Sequence, residues 1–181
     1  MINTQHNNRF NKIPLRKHIS IIILGISTVI LFSNQLLSQC DEGFLEIEED
    51  CYWKKDIDIL QEFIRNSVNS IDMDLDEDED GAISPLELGN QTWRGGRLIS
   101  LFCVNRGLSG AIPESIGNLT NLYWLSLSSN QLEGSIPESI SSLKNVTKLD
   151  LRSNNLSGVI PEIIGELTNL HHLNLASNTL T

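Results

Sequence analysis

Positive charge is scarce in this chain: 13 Lys and Arg stand against 23 Asp and Glu, a formal net charge of −10 over 181 residues. Such a balance repels a phosphate backbone and argues against nucleic acid as a partner. Catalytic signatures are missing as well. There is no G-x-S-x-G, no phosphate-binding glycine loop and no Cys/His pair at catalytic spacing. His171-His172 has no cysteine or acid cluster near it in sequence and reads as a surface pair. No enzyme is read in these residues, and no catalytic or cofactor-binding residue is assigned. Cysteine is sparse too: Cys40, Cys51 and Cys103 allow one bridge and one leftover thiol.

What is present is unevenly placed. Arg9, Lys12, Arg16 and Lys17 form a basic start without acids, followed by the apolar run Ile19–Phe32 and small Ser38 before Gln39. This is the order of a secretory signal peptide, residues 1–38. The apolar run is short beside the roughly 20 residues a spanning helix needs. An uncleaved membrane anchor and lipid attachment at Cys40 are the alternatives. Export implies an oxidising, calcium-rich compartment, and therefore a secreted or cell-surface location.

Residues 41–87 hold 17 of the carboxylates and three cations (Lys54, Lys55, Arg65), a local net of −14. Residues 88–181 balance, with six of each sign. Cys40 and Cys51 flank Phe44–Ile47 and an acidic turn, so a small hairpin closed by Cys40–Cys51 is favoured, with Cys51–Cys103 as the alternative. Cys103 otherwise reads as a small buried hydrophobe. Asp56–Asn69 places Ile57, Leu60, Phe63 and Ile64 on one helical face.

The second half repeats. Units start at Leu98, Leu122, Val146 and Leu170, a step of 24 residues. Leu125 and Leu127 alternate with Ser126 and Ser128, the period of a strand with one buried face. Asn130, Asn154 and Asn178 follow each strand and are placed for a buried amide ladder. Arg106 stands at the equivalent place in the first unit, with Asn105 one residue early, so the ladder is expected to begin at Asn130. Gly110, Gly134 and Gly158 permit a bend. Pro113, Pro137 and Pro161 open short helical segments, and Ile116, Ile140 and Ile164 turn back to the core.

The pattern LxxLxLxxNxLxGxIPxxIGxLxN over 98–181 resembles the 24-residue, plant-type class of leucine-rich repeats. The resemblance implies an α/β fold: a solenoid with a parallel sheet on the concave side, short 3₁₀ or helical segments on the convex side and a small α-helical N-terminal cap, residues 39–97. Thr92–Leu101 looks like the join from cap to first strand. Three units are complete and the fourth stops at Thr181. Solenoids need a polar end cap, so the chain is expected to be a fragment of a longer protein.

In such a solenoid the strand positions facing solvent form columns. Ser100, Trp124, Lys148 and His172 make one, Phe102, Ser126, Asp150 and Asn174 the next, and Val104, Ser128, Arg152 and Ala176 a third. Exposed aromatics among mixed charges have the composition of a binding patch. Phe102, Trp124, Ser126, Lys148, Asp150, Arg152, His172 and Asn174 are therefore the candidate ligand-binding residues. Packing against the cap is the alternative for the two aromatics.

The stretch Asp76–Glu87, DEDEDGAISPLE, fits a twelve-residue calcium loop position by position. Asp76, Asp78, Asp80, the Ala82 carbonyl, Ser84 and Glu87 would be the ligands, with Gly81 at the sharp turn. Ser84 would cap the next segment and Pro85 would open it. The loop resembles an EF-hand or a dockerin-type single site, which implies structural Ca²⁺ that neutralises crowded carboxylates. A solvated acidic turn is the plainer alternative.

The leading expectation is a secreted, non-enzymatic recognition module that binds a protein or glycan on its concave face. The alternative is the N-terminal targeting portion of a larger exported enzyme or receptor with its effector beyond Thr181. A cell-surface adhesin is the third reading. Contact with membrane is expected only through an uncleaved signal segment or an anchor further downstream.

Overall fold

Leucines that recur every second residue within a strand, and every 24 residues along the chain, need a neighbouring unit to cover their buried face. The computed structural model, which describes residues 40–67 and 69–181, supplies that neighbour at each step. The segment read as a signal peptide, residues 1–38, lies outside the described residues.

The cap opens with an antiparallel hairpin, β1 (Phe44–Ile47) and β2 (Asp50–Trp53). Glu48 and Glu49 turn it with φ of 51° and 74°, the double left-handed turn that matches strand twist. Cys40 is bonded to Cys51, with Cα atoms 5.5 Å apart. The favoured pairing holds, and Cys103 is the free, buried thiol. Its Sγ donates to Leu88 O at 3.3 Å, and burial pushes its pKa up to about 12.

Helix α1 spans Lys54–Asn66. It starts two residues before the expected Asp56 and stops three before the expected Asn69. The early stop has a physical cause. Ser67 Oγ donates to Phe63 O (2.8 Å) and accepts from Ser109 N (2.9 Å), so the helix end is tied to the repeats. Ile57, Ile59, Leu60, Phe63 and Ile64 are its buried apolar residues.

The expected join at Thr92–Leu101 takes the form of a second hairpin. β3 (Asn90–Arg94) pairs antiparallel with β4 (Arg97–Phe102). Gly95 and Gly96 form its two-residue turn with φ of 55° and 70°, a conformation glycine adopts without a Cβ penalty. The solenoid sheet thereby gains an antiparallel edge strand from the cap. A Gly-Gly pair between two strand-like runs is the sequence signal for it.

The repeats contribute β5 (Ser109–Ala111), β6 (Trp124–Ser126), β7 (Gln131–Gly134), β8 (Lys148–Asp150), β9 (Asn155–Gly158), β10 (His172–Asn174) and β11 (Thr179–Leu180). They build two sheets. One is ordered β10-β8-β6-β4-β3, parallel except for β3, and the other β11-β9-β7-β5, parallel throughout. The second sheet was not anticipated. Its strands are short, and their alternation is reduced to Leu132 buried between exposed Gln131 and Glu133. Gly110, Gly134 and Gly158 sit in it with φ of 72°, 75° and 80°. Short 3₁₀ helices at Glu114–Asn118, Glu138–Ser142 and Glu162–Glu166 follow, each with the expected proline at its N-cap.

The amide ladder begins at Asn130. Its Nδ2 donates to Cys103 O (2.6 Å) and Leu127 O (2.9 Å), and its Oδ1 accepts from Leu108 N. Asn154 and Asn178 repeat the arrangement one and two units later. Asn105 occupies the left-handed turn position with φ 55°, where later units have Ser129, Ser153 and Ser177. Arg106, lacking the amide, is held instead by the cap, its carbonyl accepting from Asp72 N at 2.9 Å.

Cap and repeats share one apolar core that runs from Ile59 and Phe63 through Leu98, Leu101, Leu125 and Leu149 to Leu167. Each fully buried leucine in it contributes about 2 kcal/mol from apolar burial. The contact is close: Gly107, at φ 69°, lies against Ser70 O with no room for a Cβ.

Candidate ligand-binding face

The registers bring the expected columns together. Ser100 pairs with Trp124, Trp124 with Lys148 and Lys148 with His172. Phe102 pairs with Ser126, Ser126 with Asp150 and Asp150 with Asn174. Short parallel strands place successive members about 4.8 Å apart, close enough for direct contact.

Trp124 is the centre of the patch. Phe102 meets it edge-on, with ring centroids 4.6 Å apart and planes at 72°. Lys148 Nζ lies 3.9 Å from its ring centroid on the next strand. Edge-on aromatic pairs are worth about 0.5–1.5 kcal/mol and an exposed cation–π contact about 0.5–1 kcal/mol. The two contacts hold a large, half-exposed indole on the solvent side of the sheet without covering it. Trp124, Lys148, Asp150, His172 and Asn174 line an open hollow of about 470 Å³.

The charged members are less free than their types suggest. Arg152 Nε is 3.5 Å from Asp150 Oδ2, and Arg152 N donates to Asp150 Oδ1 at 3.2 Å. Asn174 Oδ1 accepts from Ala176 N in the same way. Both side chains therefore also fix the turn that follows their strand. Ser126 departs from expectation. It is only 5 % exposed and packs beside Ser128, with Oγ atoms 3.4 Å apart. A short hydroxymethyl group between larger row neighbours does not reach solvent, so Ser126 is removed from the contact set. Phe102 is paired in register with Asn90 of the cap strand, and its ring meets Trp124.

The acidic loop converges on itself. Ligand oxygens of Asp76, Asp78 and Asp80 lie within 4.8 Å of one another. Asp76 accepts from Asp80 N (3.1 Å) and Gly81 N (2.9 Å), and Asp80 accepts from Ala82 N (2.9 Å). Glu87 reaches back across the loop: Oε1 accepts from Glu77 N and Asp78 N, and Oε2 from Ser84 N. Ser84 is the N-cap of the 3₁₀ segment Pro85–Glu87, with Pro85 opening it as expected. Hydrogen bonding, first from Ser84 N, holds the Glu87 carboxyl below its ordinary range. Asp78 is held above its ordinary value. The bond from Asp80 N pulls it down, but desolvation and the charges of Asp80 and Glu87 outweigh that pull. Hard oxygen donors crowded in this way suit a hard divalent cation.

A family model described as leucine rich repeat matches residues 103–156. No curated protein matches the chain in sequence. Among solved structures, the chain is similar to a chain of the BIR3–SERK2 complex from Arabidopsis thaliana. Identity is 34 % and the TM-score 0.54, over 67 % of this chain and 69 % of that one. It is also similar to the leucine-rich repeat ectodomain of the receptor kinase SOBIR1 from the same organism, with 29 % identity and a TM-score of 0.55 over 71 % and 70 %. A third likeness, to PEPR1 in the PEPR1–AtPEP1 structure, has 24 % identity and a TM-score of 0.60. It spans 70 % of this chain but 18 % of that one and concerns the fold alone. Among the described residues no helix is long and apolar enough to cross a membrane. The 24-residue step, the asparagine ladder and these likenesses agree: the chain belongs to the leucine-rich repeat family.

Proposed function

We propose that this chain is an extracellular recognition module, and that the solvent side of its five-stranded sheet binds a segment of another protein. The observation that carries the reading is Trp124, held half-exposed between Phe102 and Lys148 and flanked by Asp150, His172 and Asn174. A rigid aromatic beside hydrogen-bonding groups of both signs is the composition of a protein-binding hot spot. Two likenesses add support, since BIR3–SERK2 is a complex of proteins and the SOBIR1 structure is a receptor ectodomain. The Cys40–Cys51 bridge fits an oxidising compartment.

Selection from a displayed random peptide library tests the reading. Independent binders are expected to compete with one another and to slow amide exchange over residues 123–128 and 148–152. Binders that scatter over unrelated faces, leaving these strands unprotected, would contradict it. A concave-face glycan, the other class of ligand, would appear as protection of the same strands by sugars and not by peptides.

A second reading concerns the cap. The loop Asp76–Glu87 is proposed to take Ca²⁺ as a structural ion, which the clustered oxygens of Asp76, Asp78 and Asp80 support. The loop pattern assigns Ala82 O, Ser84 and Glu87 as the remaining oxygen donors, and an unpaired extracellular loop of this kind binds at about 10⁻⁴–10⁻³ M. Calorimetric titration with Ca²⁺, with Mg²⁺ and Glu87→Gln as controls, is expected to give one site lost in the variant. No heat up to several millimolar would return the stretch to a solvated turn.

A further inference from the structure

Beside the patch around Trp124 lies a second surface that the concave-face reading does not use. At the start of each concave strand, one residue before the Trp124 column, Tyr123 and Thr147 stand one repeat apart and face outward. Tyr123 is 52 % exposed, the largest such apolar side chain on this flank. Asn121, Asn145 and Asn169 recur two residues earlier in each unit, and with Tyr123, Thr147 and Arg94 they line an open hollow of about 580 Å³.

The chemistry of this hollow is narrow. Asn145 Nδ2 donates to Thr120 O and Asn169 Nδ2 to Lys144 O, each at 2.7 Å. Those bonds fix both amides in one orientation and leave their Oδ1 atoms as acceptors without a protein donor among the described residues. The acceptors follow the strands, about 4.8 Å per repeat, a step close to the length of one sugar residue in an extended chain. Thr147 Oγ1 is also held in place, donating to Tyr123 O at 3.2 Å. No carboxylate lines the hollow among the described residues, and Arg94 is its single cation. With a net charge of −10 on the protein, a polyanion is disfavoured. What remains is an exposed aromatic face beside a row of fixed amide oxygens. That combination suits a ligand with an apolar C–H face and equatorial hydroxyl donors at its edge.

We propose that this flank binds a neutral β-linked polysaccharide lying across the repeats, with Tyr123 as the stacking platform and Asn145 and Asn169 accepting from sugar hydroxyls. The proposal does not rest on the concave-face reading, which concerns Trp124 and a protein segment.

Native affinity electrophoresis of the whole chain, in gels containing soluble mixed-linkage β-glucan, tests this. Alginate, a polyanion, is the control polymer. β-Glucan is expected to retard the chain and alginate to leave it unaffected. Tyr123→Ala should raise the apparent dissociation constant about tenfold or more, as truncation of an aromatic hot spot does. Tyr123→Phe and Trp124→Ala should bind as the parent does, and circular dichroism should show every variant folded. Absence of retardation by β-glucan, equal retardation by alginate, or loss in Trp124→Ala with retention in Tyr123→Ala would each overturn the proposal.

Discussion

Asp56, in the first turn of the cap helix, and Arg97, at the start of the first solenoid strand, form a bidentate ion pair. The distances are 2.9 Å from Nε to Oδ2 and 3.1 Å from Nη2 to Oδ1. The Asp56 side chain is fully buried, and its Oδ2 also accepts from Leu98 N at 2.9 Å. Arg97 stacks in turn over Trp53, 5.4 Å from the ring centroid. One carboxylate thus fixes the helix, the second hairpin and the first parallel strand of the five-stranded sheet. Removing one partner of a buried pair leaves an uncompensated charge and costs about 3–5 kcal/mol. Arg97→Met is expected to lower stability by roughly that amount in urea unfolding, and Asp56→Asn by less, because the amide stays neutral. A loss under 1 kcal/mol for Arg97→Met would mean that the cap is not held through this pair.

The asparagine ladder makes a second claim about stability. Asn154 is buried and satisfies Leu132 N through Oδ1, and Leu127 O, Leu151 O and Arg152 O through Nδ2. Leucine of similar size removes all four bonds, and each orphaned buried backbone group costs about 1–3 kcal/mol. Asn154→Leu is expected to destabilise by roughly 3 kcal/mol or more, and Asn178→Leu, in the more exposed last unit, by clearly less. Equal losses at both positions would show that the ladder is not graded by burial.

The acidic loop gives a pH dependence of known sign. Glu87 is held below its ordinary value, so the loop favours its carboxylate. That contribution is complete above the unfolded value near 4.5 and is lost as pH falls through the lower folded value. Asp78 is shifted the other way. Its contribution is present below the unfolded value near 3.8 and is lost as pH rises through the raised folded value. In calcium-free buffer, Asp78→Asn is therefore expected to raise Tm slightly at pH 7, and Glu87→Gln to flatten the fall in Tm below about pH 4.5. Unchanged profiles for both variants would mean that the loop carboxylates do not couple to folding.

The repeats were legible because their signal is local and recurs: Leu125/Leu127, Asn130, Gly134 and Pro137 each state their role within one 24-residue step. Even the irregular first unit was readable, with Arg106 outside the ladder and Asn130 as its start. The Cys40–Cys51 hairpin was legible for the same reason, since its partners lie 11 residues apart. Missed features depend on distant partners. Asp56 meets Arg97 at a separation of 41 residues, and nothing in the helix period marks a carboxylate as buried. β3 joins the solenoid sheet only because Gly95-Gly96 reverses the chain. Along the five-stranded sheet the first two columns match the strand registers, but depth was not legible, and Ser128 of the third column is buried too. Ser126 shares a row with Phe102 and Asp150, and its small side chain leaves it covered. Tyr123 escaped notice because it precedes its strand and lies outside the alternation that marks a sheet face.

The most direct test of recognition through the five-stranded sheet is the affinity of a selected peptide for Trp124→Ala, measured beside the parent chain by biolayer interferometry. Trp124 is partly exposed, so the variant should keep its Tm within a few degrees. If the indole is the hot spot, its loss should weaken binding by about 2 kcal/mol, roughly thirtyfold, mostly through faster dissociation. A folded Trp124→Ala variant that binds within about threefold of the parent would place recognition elsewhere on the molecule.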